Sequence, residues 1–229
     1  MSRRPGSDRA AALFKTGSTE DWTAALAAYD ETVRAVGAKK KIESELVQLS
    51  NWWVRELPAL ESMTARELSR LARFKMTRGK MRPLQKLVDS NKDAHVVSVT
   101  QSAFKLLRAG NWKACIEQLA DLKGIGIATA SFMAAAIRGD LCPAMADETI
   151  EGGGFAREYN LATYEQLRAA LVSKANALNA EECKGAEWSA ELVGRSLWTV
   201  ATRAALGLAT AAEDENTAVT NSRKRQKCN

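Results

Sequence analysis

An all-α fold is predicted for this chain of 229 residues by three observations. Apolar residues recur at spacings of three and four along nearly every long segment. No two alternating apolar runs are joined by a strand-type turn, and only four prolines interrupt the chain. With 46% hydrophobic residues, the length supports one sizeable core, either as one compact unit or as a domain folded in two helical lobes with a cleft.

Residues 1–18 are rich in Arg, Gly and Ser and read as a disordered basic N-terminus, so the folded domain is placed at 19–206. Ser18 or Thr19 opens a helix with Trp22, Leu26, Tyr29 and Val33 on one side, and Gly37 is expected to stop it. A second helix from about Lys40 to Leu57 carries Ile42, Leu46, Leu49, Trp52 and Trp53 until Pro58 breaks the pattern. A capped helix follows from near Thr64 to Gly79, and Pro83 begins another through Leu84 and Leu87. The stretch from His95 through Phe104 and Leu107 to Gly110 favours a helix over a strand, and Trp112–Leu122 forms the next. Beyond the glycine run at 152–154, Tyr164, Leu167, Leu171 and Leu178 mark an amphipathic helix that Asn179 and the ECKG segment at 182–185 end. Leu192, Leu197, Trp198 and Val200 belong to the last long helix, and from Gly207 the periodicity fades into a tail. Trp52, Trp53 and Phe74 are read as core blocks ahead of base-stacking platforms.

The most informative segment is LKGIGIATA, residues 122–130, in which one helix runs into Lys123-Gly124-Ile125-Gly126 and a second begins at once with small residues. Glycines there open backbone angles closed to other residues and let a phosphate approach the main chain. The unpaired amides and positive dipole end of the second helix complete an anion site. A tight turn between two helices is the plain alternative. The segment resembles the hairpin of the helix-hairpin-helix DNA glycosylase superfamily, Leu-x-Gly-[Ile/Val]-Gly-x-x-Thr-Ala, followed by an apolar helix, a Pro-containing loop and an aspartate; here Pro143 and Asp147 stand in those places. Residues 64–88 are also similar to a segment of uncharacterised eukaryotic proteins with such hairpins, for which no activity follows.

The resemblance implies a helix-hairpin-helix glycosylase-like helical domain that binds DNA through Lys123, Gly124, Ile125, Gly126, Ala128 and Thr129. In bifunctional members a lysine occupies the slot of Ala128, nineteen residues before the aspartate. Alanine cannot attack a sugar carbon, so no lyase activity is expected. What remains is the monofunctional route of the alkylation-repair branch, in which Asp147 stabilises an oxocarbenium-like sugar and orients water after the base is extruded. Asp147 is equally readable as a helix N-cap. A catalytically inactive nucleic-acid-binding or scaffold protein is the alternative function, and a purely structural helical subunit is a third.

The net charge is +6 and the pI about 9.2, an excess that favours polyanionic partners. Between Arg66 and Lys86 lies a basic belt in which Arg78, Lys80 and Arg82 flank a turn and are expected to reach phosphates. The four cysteines form no CxxC pair, and the single histidine, His95, has no local ligand companion; no metal or other cofactor is implied. No apolar run approaches the ~20 residues of a membrane span. The terminal cluster Arg223-Lys224-Arg225-Gln226-Lys227 reads as a nuclear import signal or a nonspecific nucleic-acid contact, with cytoplasmic or mitochondrial residence as alternatives. A monomer is expected.

Overall fold

A computed structural model describes residues 6–181 and 187–208. Among them the chain is all-α, with no strand. In order the helices are α1 (Ser7–Thr16), α2 (Thr19–Ala27), α3 (Tyr29–Lys40), α4 (Glu43–Arg55), α5 (Ala65–Arg78) and α6 (Gln85–Asp89). They continue with α7 (Asp93–Arg108), α8 (Trp112–Ala120), α9 (Ile127–Ile137), α10 (Asp147–Gly152), α11 (Leu161–Ala180) and α12 (Ala190–Leu206), and a short 3-10 turn at Leu57–Ala59 carries Pro58.

Local chemistry fixes several starts. Ser18 and Thr64 each form a reciprocal capping box, with Asp21 and Glu67 respectively, which satisfies orphan amides at both entrances. Asn111, Asn160 and Ser189 cap α8, α11 and α12 through their side-chain oxygens. Three expectations need correction. Residues 7–16 are helical, because Ala10, Ala11 and Leu13 bury against α10 and α12. The single helix expected from 19 is divided at Ala28. Gly37 does not end α3; a Cβ there would come 2.6 Å from the Glu43 Cα, so the glycine serves the close approach of α4, and the left-handed Lys41 (φ 59°) ends the helix instead. Helix α11 ends at Ala180, directly after Asn179, and the ECKG segment lies outside the described residues. The Asn179 side chain brackets the Trp188 backbone with bonds of 2.9 and 2.7 Å.

Helix packing falls into two groups. Helices α1, α2, α10 and α11 gather on α12, whereas α5 contacts α4, α6, α7 and α9, with α8 against α7 and α9; α3 bridges by touching α12, α4 and α5. One continuous apolar core runs through both groups. Its centre on the second side is α9, whose small residues from Ala128 to Ala135 are all buried, so the helix has no solvent face to speak of. Trp53, Phe74 and Phe132 stack beside it at centroid distances of 5.3, 5.7 and 6.3 Å, and the Trp53 indole N–H donates to the Phe132 carbonyl at 2.8 Å. Both adjacent tryptophans, Trp52 and Trp53, are buried in the core. No helix of the described residues is long and apolar enough to cross a membrane. The basic N-terminal residues Arg3 and Arg4, the tail cluster Arg223–Lys227, Cys183 and Cys228 lie outside the described residues.

Candidate functional site

The turn from α8 into α9 is held by opposite means at its two glycines. Gly124 has φ +76°, a left-handed conformation, and a Cβ on it would stand 2.8 Å from the Val88 side chain. Gly126 is extended, at φ −104°, and a Cβ on it would meet nothing within 4 Å. The first glycine is therefore demanded by the fold; the second is not. Ile125 between them is buried and pins the turn from below. Buried Asn91 clamps it from the side: its Oδ1 accepts from the Lys123 amide at 3.0 Å, and its Nδ2 donates to the Lys123 carbonyl at 2.9 Å and to that of Val88 at 2.7 Å. With its backbone so engaged, Lys123 projects into solvent.

Gly126 caps α9, and its carbonyl accepts from the amides of Thr129 and Ala130 at 2.8 and 2.9 Å. From Gly126 onward the first turn of α9 forms one wall of a cleft of about 320 Å³. Gly124, Ile127, Ala128 and Thr129 line it together with Phe132. The facing walls are the end of α5 with the following segment to Leu84, the start of α10 at Asp147 and Glu148, and Tyr159 and Trp198.

Asp147 is the first residue of α10; Ala146 occupies the N-cap position, which corrects the reading of Asp147 as the cap. Its Oδ1 accepts a hydrogen bond from the Tyr159 hydroxyl. Three long-range contacts hold the loop that delivers it. Ser131 Oγ accepts from the Met145 amide at 2.9 Å, Glu191 Oε2 accepts from the Ala144 amide at 2.7 Å, and the Tyr164 hydroxyl donates to the Pro143 carbonyl at 3.2 Å. Glu191 is itself buried and pairs with Arg195 at 3.2 Å; burial pushes its carboxyl up while the Arg195 charge and the Ala144 amide pull it down. Behind Asp147, Glu151 anchors α10 to Ser7 of α1 and, at 2.6 Å, to Arg157. Asp147, with Glu148 beside it, is thus carried to the cleft by a loop anchored at the Pro143 carbonyl and the Ala144 and Met145 amides.

The cations divide sharply. Lys80 and Arg82 are exposed at the rim, with the Arg82 guanidinium 5.7 Å from the Tyr159 ring. Arg78, expected to reach outward to phosphates, is instead only 5% exposed. Its guanidinium lies 4.1 Å over Trp198 and within 6 Å of Tyr29, Trp53 and Phe132, and its Nε has no hydrogen-bond partner. The reason is its place at the end of α5, which points it down into the aromatic junction between the two helix groups. Lys75, one turn earlier, also lines the cleft. Burial lowers its pKa, the Arg82 charge lowers it further, and the Asp147 carboxylate pulls the other way.

Of the residues singled out from sequence, Gly124, Gly126, Ala128, Thr129, Arg78, Lys80, Arg82 and Asp147 meet at this one cleft; Lys123 and Ile125 flank it without lining it. Sequence reading placed Lys75 only in a general belt, and it passed over Phe132, Tyr159 and Trp198 as wall residues. Lys75 and Arg78 are three apart on one helix, the one local signal that they share a face. Elsewhere, His95 is exposed, and no group of three or more His, Cys, Asp and Glu suited to a metal ion occurs among the described residues. Cys115 and Cys142 are buried thiols, and burial pushes them up to about 12 and about 11, so they stay protonated at neutral pH. Comparison with protein-family models, with curated proteins and with solved structures finds no match to this chain.

Proposed function

We propose that this chain is a DNA-binding protein of the helix-hairpin-helix glycosylase type, hydrolysing the N-glycosidic bond of a damaged base through Asp147. The observation that carries the reading is the meeting of Asp147 and the hairpin glycines in one cleft rimmed by Lys80 and Arg82. The rim cations and the N-terminal amides of α9 suit phosphates on either side of an extruded nucleotide. Phe132 and Trp198 give the cleft apolar walls, as a nucleobase pocket needs. Positive charge developing on the sugar as the base departs would find a fixed carboxylate that accepts a hydrogen bond from Tyr159. With Ala128 at the hairpin slot, α9 itself supplies no nucleophile, so water is the attacking group in this step.

The test is a base-release screen on duplexes bearing alkylated, deaminated and oxidised bases, comparing the native chain with Asp147→Asn. Release by the native chain and its loss in the variant are expected. Release that survives the substitution removes Asp147 from the chemistry, and DNA binding without release by either protein makes the chain a noncatalytic binder.

A further inference from the structure

Arg78 lines the cleft yet is only 5% exposed, its Nε has no hydrogen-bond partner, and its guanidinium lies 4.1 Å over the Trp198 ring. A buried cation is normally matched by a carboxylate and by hydrogen bonds, because desolvation penalises it otherwise. Glu191, the buried carboxylate that feels the Arg78 charge, has one oxygen 3.2 Å from Arg195 Nε and the other on the Ala144 amide. Arg195 faces the same Tyr29 and Trp53 rings as Arg78, at 5.5 and 4.9 Å against 5.7 and 5.9 Å. Two guanidiniums thus share one buried carboxylate, and positive charge is left over at the α5 wall of the cleft. Lys75 adds to it: its Nζ is 5.8 Å from the Phe132 ring, and the Arg78 guanidinium is 5.5 Å from the same ring. The Lys40 Nζ donates to the Thr77 and Gly79 carbonyls on either side of Arg78, at 2.5 and 2.8 Å, which fixes the backbone that delivers it. Asp147 and Glu148 stand on another wall, at the start of α10.

We propose that Arg78, with Lys75 beside it, is an anion site for a planar heterocycle and holds the departing base as an anion. The cleft then takes neutral bases with acidic ring N–H groups, such as oxo-purines, and turns away the cationic bases made by ring-nitrogen alkylation. This rests on the reading of the cleft as the pocket of an extruded nucleotide, and it runs against the substrates that the alkylation-repair resemblance implies. The cleft is polarised along the bond that breaks, with carboxylates of α10 for the sugar and cations of α5 for the base. The electron pair of the N-glycosidic bond stays on the base nitrogen, and C1′ becomes the oxocarbenium that Asp147 faces. Water adds its oxygen to C1′ and releases a proton, which neutralises the base anion; one water is consumed and nothing is oxidised or reduced. The planar guanidinium supplies parallel donors that match ring and carbonyl acceptors on one edge of such a base. An alkylated base brings its own positive charge and leaves neutral, so it meets like charge on arrival and gains nothing from Arg78 on departure.

Calorimetric titration of the full chain with free purines reads the site without any catalysis. Urate, an anion at neutral pH, is expected to bind more tightly than neutral hypoxanthine, and an N-dimethylated adeninium cation is expected not to bind. Arg78→Met should weaken urate about tenfold or more, the scale of a hydrogen bond to a charged group, and leave hypoxanthine nearly unchanged, in a protein that melts no lower than the native chain. Arg78→Lys should keep part of the preference. On duplexes, hypoxanthine release should fall by a similar factor in Arg78→Met, whereas a 7-methylguanine duplex should be left intact by both proteins. Urate bound no better than the cation, or bound equally after Arg78→Met, overturns the inference. If Arg78→Met does not fold, the ranking of the purines on the native chain decides, and any order but anion first refutes it. Urate bound through Arg78 with no base released from any duplex sinks the glycosylase reading and keeps the anion site. Release of 7-methylguanine with urate unbound does the reverse.

Discussion

The hairpin turn at 121–126 and the loop at 138–147 deliver the two halves of the same cleft, and they are held in opposite ways. The turn is stabilised chiefly by its own residues, a left-handed Gly124 and a buried Ile125, with one added clamp from Asn91. The loop is stabilised from afar, by Ser131 of α9, Tyr164 of α11 and Glu191 of α12. The difference teaches where each can tolerate change. A local constraint depends on one residue's backbone conformation, whereas a long-range one depends on buried polar atoms that become costly when their partner is removed.

The contrast is broken most severely at Glu191. Glu191→Ala strands the Arg195 guanidinium and the Ala144 amide in the interior, and a loss of ~3–5 kcal/mol in denaturant unfolding is expected. A loss below about 1 kcal/mol would mean that the loop does not depend on this distant anchor. Next comes the pair of hairpin glycines. Gly124→Ala must hold φ +76° against the Val88 side chain and should cost ~1–3 kcal/mol. Gly126→Ala enters open space with an ordinary backbone conformation and should change stability by less than ~1 kcal/mol, because a strained conformation is not being imposed. Equal costs at the two positions would contradict the division between a glycine required by the fold and one that is not.

The smallest effect is a gain. Lys75→Met removes a half-buried ammonium and should stabilise by ~1 kcal/mol or less at neutral pH, because burial disfavours the charged form. The sign follows from the depressed folded-state pKa. The native chain binds the Lys75 proton less readily than the unfolded chain does, so the penalty is full below the folded value. It fades as pH rises through that value toward the ordinary lysine value of 10.5. Thermal melts of both proteins across neutral to alkaline pH should therefore converge. A gap that widens with pH would show that the proton is favoured in the native cleft.

Much of the fold was legible because its signals are local. Capping boxes at Ser18 and Thr64, apolar spacing, and the break at Pro58 all act within one or two turns. The helix at 7–16 was missed because its short apolar set, Ala10, Ala11 and Leu13, has a partner only when α10 and α12 are in place. Of the cleft, the hairpin and Asp147 could be read from spacing, since a turn and a loop of fixed length set their separation. Arg78 could not. Its type and position suggest a surface contact, and only the convergence of Trp53, Phe132, Trp198 and Tyr29 from four other helices turns it inward. Glu191 escaped for the same reason, because its partner Ala144 lies 47 residues away, and Tyr159 reaches Asp147 only by the path of the glycine loop between them.

The central claim, that both regions face one extruded nucleotide, is tested most directly by equilibrium binding to duplexes with and without a tetrahydrofuran abasic analogue, using the native chain and Gly126→Val over a range of salt. The account predicts tighter binding to the analogue-bearing duplex, a steep fall with salt, and loss of that preference in a variant that still melts with the native chain. Equal affinity for the two duplexes, or a preference unchanged by valine at 126, would contradict it.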